Sequence, residues 1–219
     1  KIFFSQHHLS HAASAFYPSP FKDSAILVAD GVGEWATTSL WHGKDNKLKN
    51  LKQINFPDSL GLLYSAFTQY LGFKVNSGEY KMMGLAPFGK PEYKDKIYGE
   101  LINLNSDSSF NLNSKYFNYE TGLSMISKNF EELFGKKTRL SSEKIEDFHA
   151  NIASSIQEVT EDIYFKMINH LNSICKTKNL CLAGGVALNC VANGKIKKHT
   201  KFENIWIQPA AGDAGGSVG

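Results

Sequence analysis

Three imidazoles fall within five positions, His7, His8 and His11, in the stretch SQHHLSHAASAFYPSPF. His7 and His11 are four apart, so on a helix they lie one turn apart on one face, a spacing that two ligands of one metal ion can use, while His8 points elsewhere. Capping or core histidines with ordinary hydrogen bonds would explain such a pair equally well. A second element is VADGVGEWATTSLW, where Asp30 ends an apolar run, Gly31 and Gly33 permit a tight turn, and Thr37 and Thr38 open the next run. An acid–glycine turn of this kind suits a phosphate or a bound cation, and a plain β-turn accounts for it too. In LCLAGGVALN, Gly184 and Gly185 follow an apolar run and precede a helical pattern, so backbone could approach a ligand closely and free helix amides could meet an anion. In QPAAGDAGGSVG, glycines flank Asp213, an acid placed to coordinate a metal or position a nucleotide.

The elements that must position these groups follow from periodicity. KIFF reads as a short strand, and the histidine segment as a helix stopped by Pro18 and Pro20. SAILVAD is a buried strand, TTSLWHG alternates as a second, and KLKNLKQINF returns across a KDN turn, giving a β-meander. Leu60, Leu63, Tyr64, Phe67 and Leu71 have helical spacing, with Asp58 or Ser59 as cap. Residues 103–121, rich in Asn and Ser, form an irregular or hairpin insertion. Apolar residues from Ile145 to Ile174 recur every three or four positions, which predicts one long amphipathic helix after a Ser-Ser cap. NLCLAGG is then a strand, VALNCVANGKIKKH a helix and NIWIQPA a strand, an order that implies parallel pairing.

Composition narrows the function. The 219 residues, 42% hydrophobic, suffice for one core or two small lobes, and a net charge of +3 with one local lysine run, Lys195 to Lys201, gives no basic face for nucleic acid. Arg139 is the sole arginine among 24 basic residues, so any phosphate must be held by backbone amides, lysine, metal or another domain. Cys175, Cys181 and Cys190 lack zinc-site spacing and read as reduced, buried thiols of a cytoplasmic protein. No apolar run approaches a membrane span, and the absence of an initiating methionine together with the terminal glycine stretch reads as a piece of a longer protein.

Taken in order, HHLSHAASAFYPSPF, DGVGEWATTSLW, GEYKMMGLAPFGKP, LAGGVALNCVANGKI and PAAGDAGG closely resemble the carbamoyltransferases that modify nodulation factors and antibiotics such as cephamycin and tobramycin. The resemblance covers essentially the whole chain. It implies a partial α/β actin-like ATPase (ribonuclease H-like) superfold, mixed sheets flanked by helices, with lobes at roughly 1–140 and 141–219. It also implies kinship with the tRNA threonylcarbamoyl transferase subunit, with the family's opening strands and its YrdC-like domain outside these residues. The implied reaction is carbamoyl transfer from carbamoyl-adenylate, made from carbamoyl phosphate and ATP, to a hydroxyl of a small molecule or saccharide. By the same resemblance His7, His11, Asp30 and Asp213 hold a divalent metal, iron(II) or zinc. Gly31, Gly33, Thr37, Thr38, Gly184, Gly185 and Asn189 then lie at the nucleotide. Glu79, Lys81 and Gly84 belong to a middle motif facing substrate or nucleotide, or else to a solvated charged loop. The partners implied are the two substrates and the YrdC-like domain, with a homodimer as a further assembly; the 219 residues alone are not expected to complete the reaction. A sugar kinase-like phosphotransferase of the same superfold would not need the histidine pair, and a non-catalytic nucleotide-binding module would not need the metal ligands.

Overall fold

The computed structural model describes residues 1–216. The chain forms two compact units, one made of Lys1–Gly61 with the segment from Tyr164 onward, the other of Leu62–Ile163. This differs from the expected division near residue 140. The cause is β1 (Asp23–Gly33), which pairs in parallel with β6 (Asn179–Ala183) and so ties the two ends of the chain into one sheet.

In the first unit, β1, β2 (Ala36–Lys44) and β3 (Lys47–Asn55) form the expected antiparallel meander. β6 and β7 (Asn204–Ile207) add the parallel pair, giving the order β3-β2-β1-β6-β7. Helix α1 (His7–Phe16) lies on one face of this sheet: Ala12, Ala15 and Phe16 pack with Ile26 and Val28 of β1, Trp41 of β2, and Cys181 and Ala183 of β6. Strand alternation puts Ile26 and Val28 toward the helix, and the same parity carries Asp30 to that face. Full burial of side chains such as Ile26 and Phe16 stabilises this docking by roughly 1.5–3 kcal/mol each. Two further helices of this unit, the end of α6 (Asp147–Cys175) and α7 (Cys190–His199), meet through stacked rings of Phe165 and His199 with centroids 4.8 Å apart.

The second unit holds most of α2 (Leu60–Tyr70), α3 (Glu79–Leu85), the single turn α4 (Lys94–Lys96), the hairpin β4 (Ile102–Leu104) and β5 (Phe110–Leu112), and α5 (Lys128–Phe134). Its aromatic core joins Phe67, Tyr70, Phe130 and Phe134. Arg139 is buried there, donating from Nε to the Leu71 carbonyl at 2.7 Å and from Nη1 to the carbonyls of Leu140 and Glu143. The lone arginine therefore fastens backbone and is not a phosphate clamp.

Several local expectations are corrected. KIFF forms no strand; Ile2, Phe3 and Phe4 are exposed and no strand of the described residues pairs with them. Ser59, at the start of α2, also ties that helix to β1, its hydroxyl donating to the Asp30 and Gly31 carbonyls. The long helix begins at Asp147, beyond the Ser-Ser pair, and leaves Ile145 outside. The helix expected from Val186 is broken: a 3-10 turn, Gly185–Leu188, ends at Asn189, whose side chain accepts from the Ala192 amide at 3.0 Å and starts α7 afresh. The segment around Glu79 is helical, not a loop, and Cys190 is exposed while Cys181 is buried. Among the described residues no helix is long and apolar enough to cross a membrane.

Candidate metal centre

Four side chains from three separate parts of the first unit converge. His7 and His11 come from one face of α1, Asp30 from β1, and Asp213 from the start of the short helix α8 (Asp213–Gly216). His11 Nε2 is 3.1 Å from His7 Nε2, 3.0 Å from Asp30 Oδ2 and 3.0 Å from Asp213 Oδ1. His7 Nε2 is 3.1 Å from Asp30 Oδ2 and 3.2 Å from Asp213 Oδ1.

Local chain geometry explains how Asp30 gets there. Between the pairs Ala29–Thr38 and Gly33–Ala36 the register of β1 against β2 shifts, so Asp30 lies where the regular ladder is interrupted. Oδ1 accepts from the amides of Gly31 at 2.8 Å and Gly185 at 3.2 Å, which leaves Oδ2 for the two imidazoles. Gly184, at φ 90°, brings β6 against this interruption; a Cβ there would lie 2.3 Å from the Ala29 carbonyl oxygen. Gly33 lies under His7, where a Cβ would be 2.3 Å from the ring Cδ2.

The donor set fits a cation better than it fits protons. An imidazole nitrogen carries at most one hydrogen, which points at one acceptor, yet His11 Nε2 faces three lone-pair atoms at 3.0–3.1 Å. Donor atoms spaced about 3.1 Å apart around a tetrahedral or octahedral centre are about 1.9–2.2 Å from it, the range of bonds from zinc to nitrogen and oxygen ligands. No lysine or arginine lines the adjoining cavity, which is bounded by Ser5, His7, Ser10, His11, Ser14, Glu34, Asp213 and Gly216.

The titration behaviour follows from the same contacts. Burial acts to lower the His11 pKa, but hydrogen bonds and charges from Asp30 and Asp213 outweigh it and raise it above the ordinary histidine value. Burial acts to raise that of Asp30, yet the hydrogen bond from His11, the Gly31 amide and the nearby imidazoles hold it well below the usual carboxylate range. His8, 4% exposed, is lowered to about 4, chiefly by burial. Its Nδ1 meets Ser39 Oγ at 2.6 Å, and Ser39 Oγ also accepts from Trp41 Nε1 at 2.7 Å, so His8 is built into the sheet face.

The expected ligands are thus brought together, and several residues expected at the nucleotide make contacts within the chain. Thr37 is buried and donates to the Asp58 and Ile54 carbonyls; Thr38 is buried in β2; Asn189 caps α7. Gly31 and Gly185 supply their amides to Asp30, and Gly33 makes room for His7. In the second unit Glu79 accepts from Ser65 Oγ and the Asn76 amide, both at 2.9 Å, and from the Gly78 amide at 3.1 Å. Lys81 is exposed with its ammonium 5.9 Å from the Tyr80 ring centre, and Gly84 lies in α3 with open space around it. The cavity residues Ser10, Ser14 and Glu34 escaped the sequence reading. The signal for the serines was there: 7, 10, 11 and 14 share one helix face.

A mixed five-stranded sheet that gathers two imidazoles and two carboxylates at the end of a central strand defines an α/β protein with a candidate metal centre. Comparison with known proteins gives its kin. The chain belongs to the carbamoyltransferase family, whose N-terminus model matches residues 1–219. It is 58% identical over 218 residues to uncharacterized protein sll1178 of Synechocystis sp., covering 100% of this chain and 35% of that protein. It is 37% identical over 219 residues to nodulation protein NolNO of Sinorhizobium fredii, covering 100% of this chain and 30% of the relative. With nodulation protein NolO of Bradyrhizobium diazoefficiens the identity is 34%, covering 97% and 37%. The chain thus spans about a third of the length of these relatives. The crystal structure of T. kodakarensis HypF aligns over 100% of this chain and 36% of its own, with a TM-score of 0.48 and 15% identity.

Proposed function

We propose that this chain is the metal-bearing part of an O-carbamoyltransferase that moves a carbamoyl group from carbamoyl-adenylate to a hydroxyl. The observation that carries the reading is the convergence of His7, His11, Asp30 and Asp213 in a chain of the carbamoyltransferase family. Those four side chains hold a divalent ion, iron(II) or zinc, and such an ion supplies positive charge to the phosphate oxygens of a bound adenylate as negative charge grows on the leaving group. Asp30, anchored by two amides, fixes the geometry of the set, and the cavity beside His7 and His11 admits the acceptor. The adenine nucleotide is assigned to the Gly184–Gly185 turn beside Asp30, in an actin-like ATPase lobe that the β3-β2-β1-β6-β7 order supports. Carbamoyl phosphate and ATP are the ultimate donors, with the adenylate made in a YrdC-like domain of the full-length chain.

A sugar kinase-like phosphotransferase is the competing activity, and the products separate the two. Incubated with carbamoyl phosphate, ATP and a hydroxyl acceptor, the full-length protein is expected to release pyrophosphate and AMP and add a carbamoyl mass to the acceptor. ADP and a phosphorylated acceptor would overturn the proposal.

A further inference from the structure

Glu34 is the one carboxylate of the cavity wall outside the four-residue cluster. It sits at the β1–β2 turn with φ 60°, a left-handed conformation uncommon for a side chain of this kind, which costs of order 1 kcal/mol or more and persists only where its surroundings impose it. Its neighbour Gly33 lies against the His7 ring with no room for a Cβ, which sets the turn beside the cluster. Among the described residues the Glu34 carboxylate has no hydrogen-bond or ion-pair partner. Across the cavity, Ser10 Oγ donates to the Gln6 carbonyl at 3.1 Å and Ser14 Oγ to the His11 carbonyl at 2.8 Å. Each serine has therefore used its hydrogen on the helix backbone and presents lone pairs outward. Away from the metal ligands the wall is acceptor-rich and holds no lysine or arginine, and the cavity measures about 270 Å³. The part of the wall formed by Glu34, Ser10 and Ser14 is complementary to a molecule that donates several hydroxyl hydrogens.

We infer that this cavity is the acceptor subsite and that Glu34 is the base that takes the acceptor's proton. This rests on the carbamoyl-transfer reading above. As the acceptor oxygen bonds to the carbamoyl carbon, its proton passes to the Glu34 carboxylate. The bond from that carbon to the adenylate phosphate oxygen breaks, and the phosphate leaves with the electron pair as AMP; Glu34 then returns the proton to water. Ser10 and Ser14 accept from the acceptor's other hydroxyls and orient it.

The test uses the full-length protein with carbamoyl phosphate, ATP and molar glycerol as the hydroxyl probe, comparing wild type with Glu34→Gln and Ser14→Phe. Wild type is expected to form carbamoylated glycerol. Glu34→Gln should lower kcat for transfer by about a hundredfold or more while metal content and the KM for glycerol stay within about twofold. Ser14→Phe should raise KM for glycerol. Broadening of glycerol resonances by cobalt(II)-loaded protein reports occupancy without turnover, and Ser14→Phe should abolish it. Broadening that depends on Ser14, without any carbamoyl transfer, would sustain the subsite and overturn the reaction. Transfer at the wild-type rate by Glu34→Gln, or loss of metal in that variant, would overturn the role of Glu34. Absence of broadening in wild type would overturn the subsite.

Discussion

Replacing Gly33 by Ala should damage the metal centre without touching a ligand. The added methyl carbon would stand 2.3 Å from His7 Cδ2 and 2.7 Å from Cγ. Carbon atoms in ordinary contact lie about 3.5–4.0 Å apart, so the imidazole must retreat by about 1 Å. Metal–ligand bonds tolerate deviations of about 0.2 Å, so His7 Nε2 is withdrawn from the three donor atoms that now lie 3.1–3.2 Å from it. Loss of such supporting contacts lowers metal affinity by about 10- to 100-fold, or about 1.4–2.8 kcal/mol. Competition against a zinc-sensitive fluorescent chelator measures the affinity, and thermal unfolding of the metal-free protein checks the fold. Gly84→Ala is the control, since a Cβ there meets nothing within 4 Å; its affinity should match wild type. A Gly33→Ala protein that binds zinc as tightly as wild type would refute the assignment of His7.

Asp30→Asn should keep the fold, because the amide oxygen can still accept from Gly31 and Gly185, yet lose the metal by removing a charged ligand; elemental analysis checks this. His8, with a pKa lowered from 6.5 to about 4, binds a proton more readily in the unfolded chain, so its contribution of about 3 kcal/mol is complete above pH 6.5 and disappears as pH falls toward 4. The raised His11 contributes fully over the same interval, so urea unfolding of chelator-treated wild type between pH 6.5 and 4.5 should show a decline that is smaller in His8→Gln, where the lowered pKa of buried His149 remains to produce it. Glu79→Ala should destabilise the second unit by about 1–3 kcal/mol, since the Asn76 and Gly78 amides and the Ser65 hydroxyl lose their acceptor; protease sensitivity within Leu62–Ile163 reports it.

Most of the sheet was legible because its strands alternate or run apolar: β1, β2, β3, β6 and β7 lie where periodicity put them. The His7–His11 pair was legible for the complementary reason that four residues make one helical turn. Its convergence with Asp30 and Asp213 was not, since sequence spacing carries no information about a contact across 202 positions; the family resemblance supplied that expectation. Glycines were legible as points of close approach, but not what they approach. Gly31, Gly33, Gly184 and Gly185 stand close to the chain's own Asp30 and His7 and the Ala29 carbonyl, contacts that spacing in the sequence does not reveal. Asn189 looked like part of a continuous helix and is the cap that interrupts one, a choice made by a single side-chain hydrogen bond. The two-unit division was hidden because parallel pairing of β1 with β6 joins residues some 150 positions apart, while α6 runs through both units without a break in its pattern.

The central claim, that His7, His11, Asp30 and Asp213 together hold one divalent ion, is tested most directly by metal analysis of the purified full-length protein beside its His7→Ala, His11→Ala double variant. One iron or zinc per chain in wild type, and none in a double variant of unchanged circular dichroism, is the expected result. Full occupancy in the double variant, or a wild type that takes up neither metal when supplied with both, would contradict the account.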